Sequence, residues 1–117
     1  MSKESFSALH ILPSHEIWTF ICGDPIEQLT IDPSFNIKIE TIGEEPLYRG
    51  VSHIPQLYWQ GSRLKRGGEY GFALCSTVVV PGYDQRDFTL ADTALLHHIE
   101  QKDVSLVQEF LNNKGEL

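Results

Sequence analysis

The stretch from His10 to Gly23 constrains the fold more than any other part of the chain. From position 15 onward, its side chains fall into two alternating sets, as in a β-strand whose two faces meet different surroundings. One face carries Glu16, Trp18, Phe20 and Cys22. The other face carries His15, Ile17, Thr19 and Ile21. We therefore expect Glu16 and Trp18 to point together into the interior of the protein.

Strand-like segments separated by turn signals make up most of the first ninety residues. They are 6–12, 15–22, 26–32, 35–42, 47–54 and 70–80, with breaks such as Asp32-Pro33-Ser34 and Gly67-Gly68. Helical spacing of apolar residues then predicts two short helices over 92–100 and 104–112, the second capped by Asp103 and ending near Gly115. The sequence thus predicts one all-β domain over 1–117, an antiparallel sandwich or barrel with strands over about 6–90 and a helical tail over about 92–113.

Charge and composition argue against several classes of partner. Nine Lys and Arg stand against 16 Asp and Glu, for a net charge of −7. A nucleic-acid partner is not expected, because phosphate binding needs clustered basic side chains. No apolar run approaches the roughly 18 residues of a membrane span, and the N-terminus has no signal-peptide pattern. We expect a cytoplasmic protein that binds neither nucleic acid nor membrane, with Cys22 and Cys75 as buried free thiols.

Three segments resemble the motifs of one branch of the cupin superfamily, a branch of small and largely uncharacterised jelly-roll proteins. The segments are, in order, SALHILPSHEIWTFICGDPIE, IPQLYWQGSRL and YGFALCSTVVVPGYDQRDFTLAD. The spacing of His10, Glu16 and Gly23 also keeps the frame of the first cupin motif. The resemblance covers nearly the whole chain and implies an antiparallel cupin jelly roll. Members of the branch usually carry a further segment with an H-P-E-G-G motif, to which we find no match before Ser7.

The resemblance raises the question of a metal ion, because catalytic cupins typically hold Fe, Mn, Ni or Zn with three His and one Glu. Two of the four positions carry other residues here. The second His of the first motif is Leu12, and the His of the second motif aligns with Gln60. Since His10 and Glu16 alone would form a weak site, we predict no bound metal and no cofactor. The alternative is a metal-dependent enzyme in which His53 joins His10 and Glu16.

The same residues support acid–base chemistry without a metal. In an apolar pocket, His10 and Glu16 would shift each other's pKa and could act as a general base and the group that orients it. Sugar-nucleotide epimerases of the cupin superfamily combine such a pair with a tyrosine acid. We assign that role to Tyr58, with Tyr70 as the alternative, by analogy of fold alone. The alternative is that these residues have only structural roles. His10 and Glu16 would then be buried side chains with hydrogen-bond partners, and the tyrosines would be packed aromatic rings.

Aromatic side chains indicate what such a pocket would bind. We expect a lining of Trp18, Phe20, Trp59 and Gln60, which suits a sugar or a planar ring. Trp59 and Gln60 alternate along a strand, so only one of them faces the pocket unless the backbone bends. We predict a small-molecule-binding cupin with isomerase-like or epimerase-like activity. The alternatives are the metal-dependent enzyme and a non-catalytic oligomeric scaffold with a vestigial pocket.

The apolar strand at 70–80 predicts a partner for the chain. Its two faces carry Phe72, Leu74, Val78 and Val80 on one side and Ala73, Cys75 and Val79 on the other. One face can enter the sandwich, whereas the other needs a cover. Cupins of this kind commonly dimerise through such a sheet, and a sheet edge without the further N-terminal segment invites pairing. We predict a symmetric homodimer that buries at least roughly 1,200 Å².

Overall fold

A computed structural model describes residues 1–2, 4–82 and 88–111 of the chain. The strands described are β1 (Ser7–Ile11), β2 (His15–Gly23), β3 (Ile26–Ile31), β4 (Ile37–Ile42), β5 (Val51–Ile54), β6 (Trp59–Leu64), β7 (Ala73–Val80) and β8 (Thr89–Leu90). A 3₁₀ helix (Thr93–His98) and helix α1 (Gln101–Glu109) follow. The strands form two sheets, ordered β4-β3-β6-β1-β8 and β5-β2-β7, whose neighbours pair antiparallel. The predicted all-β antiparallel sandwich is therefore confirmed.

The β3–β4 hairpin follows from the chemistry of its turn. The carboxylate of Asp32 accepts hydrogen bonds from the backbone N–H groups of Ser34 and Asn36, both at 2.9 Å. This arrangement closes the bend, because an aspartate side chain can replace a missing backbone partner. The strands that it joins pair from Ile26 opposite Ile42 to Ile31 opposite Ile37.

The five-stranded sheet has a hydrophobic core on each of its faces. On one face, the helical tail packs to form what we call the tail core, whose buried members are Leu9, Leu29, Ile31, Ala91, Leu95, Ile99, Val107, Phe110 and Leu111. On the other face, between the two sheets, lies the interior core of Trp18, Ile26, Ile42, Ile54 and Ala73. A Cβ atom at Gly61 would lie 3.1 Å from the Phe110 ring and 3.3 Å from the Leu9 backbone. Glycine is therefore the residue that fits where β6 passes beneath the tail.

The helical tail is present, but its boundaries differ from the prediction. The chain is extended at Ile99 and Glu100, and α1 begins at Gln101 with Asp103 inside its first turn. Asp103 is therefore not the N-cap. Asp92 caps the preceding 3₁₀ helix instead, where its carboxylate accepts a hydrogen bond from the N–H of Ala94 at 2.9 Å. Gly115 lies outside the described residues. No helix among the described residues is long and apolar enough to cross a membrane.

Within the described residues, the three-stranded sheet is packed on its inner face only. The tail covers the other sheet, and the side chains on the outer face of β5-β2-β7 are largely exposed. We call this surface the open face; its apolar members are Ile17, Ile21, Val51, Phe72, Leu74, Val78 and Val80. Leu74 and Val78 remain 52% and 55% exposed, whereas Ala73, on the inner face, is 2% exposed. The two predicted faces of the 70–80 strand are thus distinct, and one of them has no cover within the described chain.

A bulge in β2 overturns the prediction for one cysteine. The pairing with β7 shifts register between Phe20 and Cys22, so that Cys22 lies opposite Leu74 instead of continuing the inward row of Glu16 and Trp18. Cys22 is exposed as a result, and the prediction of a buried thiol is wrong there. Cys75, which pairs with Phe20 and packs against the interior core, is half-buried.

Candidate functional site

Three of the predicted site residues meet between the two sheets. Glu16 and Trp18 lie on β2, and Gln60 faces them from β6. The Gln60 amide nitrogen donates a hydrogen bond to Glu16 Oε1 at 2.8 Å, and the Trp18 indole N–H donates to Gln60 Oε1 at 3.3 Å. All three side chains are buried, with exposures of 6%, 7% and 2% for Glu16, Trp18 and Gln60. The Gln60 amide therefore links a carboxylate and an indole across the interior.

A second set of hydrogen-bonded polar side chains lies between the sheets, and the sequence analysis did not predict it. Gln28 on β3 donates to the Ser62 hydroxyl at 3.2 Å, while the Ser52 hydroxyl donates to the Gln28 carbonyl oxygen. All three side chains are buried. The available signal was a glutamine in the apolar strand 26–32, at the same parity as Ile26. Since β3 presents that parity to the interior, Gln28 had to point between the sheets.

His10 lies on the same face of the large sheet as Gln60, because the two residues are directly paired across β1 and β6. Its Nδ1 contacts the carbonyl oxygen of Ala8 at 2.8 Å and its ring stacks on Phe88, with centroids 4.7 Å apart. A carbonyl can only accept, so Nδ1 carries the hydrogen and Nε2 keeps a lone pair. Burial lowers the pKa of His10, and the hydrogen bond to Ala8 opposes that shift. The imidazole is therefore neutral at pH 7.

The pKa of Glu16 moves in the opposite direction. Burial raises the pKa of this carboxyl group above its ordinary value, and the hydrogen bond from Gln60 partly offsets the rise. The interior thus favours the neutral form of both an acid and a base. Opposite shifts of this kind bring the pKa of the acid and the pKa of the base closer together.

The remaining aromatic candidates are placed differently from one another. Phe20 and Tyr58 are half-buried against the interior core, on the side where Trp18 lies. Trp59 packs against the tail core, on the opposite face of β6 from Gln60. The expectation that Trp59 and Gln60 share the pocket is therefore wrong, because β6 alternates without a bend at this point. Tyr70 is 63% exposed and stacks edge-on against Phe72 at the surface.

Tyr70 belongs to a groove at one end of the open face. The groove has a volume of about 470 Å³. Its lining includes Phe20, Cys22, Glu44, Val51, Tyr70 and Phe72. Tyr70 therefore lies at the outer surface of the three-stranded sheet. Of the two tyrosines considered as the acid, Tyr58 is the one that packs against the interior core.

The interior does not fit the four-ligand metal centre of catalytic cupins. Leu12 has no donor atom, and both atoms of the Gln60 amide are already hydrogen-bonded. His53 is paired with Ile17 and lies on the outer face of β5, so it cannot join His10 and Glu16. The alternative in which His53 completes an interior metal site is wrong. Among the described residues, no three His, Cys, Asp or Glu side chains come together as a metal site.

Comparison with known proteins agrees with this architecture. The family model described as "Cupin superfamily (DUF985)" matches residues 1–91. The chain belongs to this cupin family. The cupin is similar to a crystal structure of a protein from Shewanella oneidensis, with 23% identity, a TM-score of 0.83, and 96% of this chain and 70% of that one covered. It is also similar to a hypothetical protein from Leishmania major, with 26% identity, a TM-score of 0.81, and 94% and 71% covered. No curated protein matches the chain significantly.

Proposed function

We propose that this cupin binds a small molecule between its sheets and moves a proton on it without a metal ion. The observation that supports this most is the bridge from Glu16 through the Gln60 amide to Trp18. At the position where catalytic cupins carry a histidine ligand, Gln60 instead orients a buried carboxyl group. A neutral His10 on the same face of the sheet supplies a base.

The chemistry of these two groups defines a class of reaction. Nε2 of His10 can accept a proton from an acidic C–H group, and a protonated Glu16 can deliver one to the same or a neighbouring atom. Such transfer isomerises or epimerises a centre next to a carbonyl group. Trp18 and Phe20 offer aromatic surface to a sugar or a planar ring. Tyr58 is our candidate for an additional acid, since it packs against the interior core.

A thermal-shift screen of sugars and cyclic metabolites tests binding. A ligand at 100 times its Kd should add roughly 2.7 kcal/mol of stability. We expect the shift to disappear in Gln60→Ala and to persist in Glu44→Gln, a control in the exposed loop before β5. If a stabilising ligand acts equally on the Gln60→Ala protein, it does not bind in this interior. If no metabolite acts, the scaffold alternative is favoured.

Proton transfer needs a separate measurement. A bound ligand incubated with the protein in D₂O should acquire deuterium at the reacting carbon, detected by NMR. His10→Asn should abolish the exchange, whereas His97→Asn, at an exposed position of the 3₁₀ helix, should not. Exchange that survives in His10→Asn would assign the base to another residue.

We also propose that the cupin forms a homodimer through the open face. None of the described side chains that β2, β5 and β7 direct to this face is Asp, Glu, Lys or Arg, although the protein has a net charge of −7 and Glu44 lines the groove at one end. Contiguous apolar surfaces larger than a few hundred Å² are uncommon on a monomer and often mark a protein–protein interface. A second copy presents the same uncharged surface and can cover it with two-fold symmetry.

We also propose a cytoplasmic location, because a reducing compartment suits the exposed Cys22 thiol.

A further inference from the structure

Two histidines form a close pair on the outer surface of the small sheet. Nδ1 of His15 lies 3.1 Å from Nε2 of His53, and the ring centroids are 5.3 Å apart. His15 is the first residue of β2, and His53 is on β5, opposite Ile17. Both point away from the interior, so the pair is separate from His10 and Glu16. We propose that His15 and His53 chelate a divalent transition-metal ion, with Cu²⁺, Ni²⁺ or Zn²⁺ as the ions it would take.

The separation of the two nitrogens matches the bite of a metal ion. At metal–nitrogen distances of about 2.0–2.1 Å, the two ligating nitrogens lie about 2.9 Å apart when the nitrogen–metal–nitrogen angle is about 90°. They lie about 3.3 Å apart when that angle is tetrahedral. The observed 3.1 Å lies between these values. Imidazole nitrogen is a preferred donor for all three ions.

The sheet holds the two histidines in place for this role. His53 lies within the β2–β5 ladder, opposite Ile17, and His15 pairs with Val80 of β7, so the backbone positions of both residues are fixed by strand pairing. His53 is exposed and His15 is half-buried. An ion held by the pair would have two ligands from this chain, and its remaining positions would face the same outer surface as Ile17, which we propose as the dimer interface. The ion would also cross-link the four-residue edge strand β5 to β2.

Metal binding requires a shift of hydrogen within one ring and a rotation of both rings, because a hydrogen bond directs the two facing nitrogens at each other and not at a common ion. In the free protein the close contact is a hydrogen bond, for which one of the two facing nitrogens carries the hydrogen. For chelation, that hydrogen moves to the other nitrogen of its ring, and both facing lone pairs point at the ion. Two neutral rings are conserved, so no proton is lost. Acid weakens the site, because a protonated ring has no lone pair to offer.

Calorimetric titration with CuCl₂, NiCl₂ or ZnCl₂ at pH 7.5 tests the proposal. We expect one ion per chain and the tightest binding for Cu²⁺, as the usual order of affinities requires. His15→Asn and His53→Asn should each weaken binding by at least about tenfold, because one imidazole cannot chelate. The matched control removes the two adjacent histidines of the 3₁₀ helix, His97→Asn and His98→Asn, and should leave the affinity unchanged.

A measurement on the unaltered protein guards against variants that fold poorly. During a Zn²⁺ titration followed by NMR, the ring nitrogens of His15 and His53 should shift together and those of His10 should not. Saturating Zn²⁺ should also raise the melting temperature of the unaltered protein but not of His53→Asn. Equal affinity in His53→Asn, or loss of binding in the His97/His98 control, would overturn the proposal.

Discussion

Replacing Ile17 by Glu tests the proposed dimer most directly. Ile17 lies within the open face, opposite His53 on one side and Val78 on the other. Its side chain is 38% exposed, so the monomer tolerates a polar group there better than in a core. Because a two-fold interface contains every residue twice, one substitution alters two sites in each dimer.

The magnitude follows from the exposed fraction. Full burial of an isoleucine contributes about 1.5–3 kcal/mol, so covering the remaining 38% contributes about 0.6–1.1 kcal/mol per copy. Two copies lose about 1–2 kcal/mol of association free energy from apolar area alone. Burying a polar group without a partner costs roughly another 1–3 kcal/mol. Together these terms predict a dimer dissociation constant at least about 30-fold weaker.

Sedimentation equilibrium over a range of micromolar concentrations measures the effect. The control is Ile39→Glu, which adds the same charge to an isoleucine of similar exposure, 42%, on β4 of the other sheet. The native protein and Ile39→Glu should sediment as dimers and Ile17→Glu as a 13.3 kDa monomer. A native protein that is monomeric at these concentrations, or an Ile17→Glu protein that dimerises as tightly as the control, would refute the reasoning.

Three further predictions concern the stability of the fold, measured by urea denaturation. Glu16 keeps its proton to a higher pH in the folded state than its ordinary pKa of 4.5 allows, so stability falls as pH rises from 4.5 through the raised pKa; Glu16→Gln should remove this slope. His10 titrates below its ordinary 6.5, so its contribution is lost as pH falls from 6.5 through the lowered pKa, and His10→Asn should flatten that region. Gly61→Ala should cost about 1–3 kcal/mol, because its Cβ would press on Phe110 and the Leu9 backbone, and a cost near zero would contradict the tight contact.

Alternation within strands made much of the interior predictable from the sequence. The parity of β2 placed Glu16 and Trp18 together, and the turn residues placed the boundaries of β1 to β4 within two residues, but β6 was not among the predicted strand segments. The same parity argument fails at Cys22, because the extra residue of a bulge reverses the direction of the side chains that follow it in the strand. Trp59 was misplaced by resemblance to the family, although its alternation with Gln60 indicated opposite faces. The hydrogen bond between His15 and His53 depends on the register between β2 and β5, which no local pattern specifies.

The strand β2 separates two surfaces by the thickness of a single peptide chain. Glu16 and Ile17 are neighbours in sequence, yet one faces the candidate ligand site and the other faces the open surface. A partner that moves this strand therefore moves the carboxyl group by the same displacement, without any relay of intermediate side chains. By thermodynamic reciprocity, a ligand that prefers one position of β2 must change the affinity of the partner by the same factor. In this cupin, the proposed ligand site and the proposed dimer interface therefore lie on opposite faces of β2.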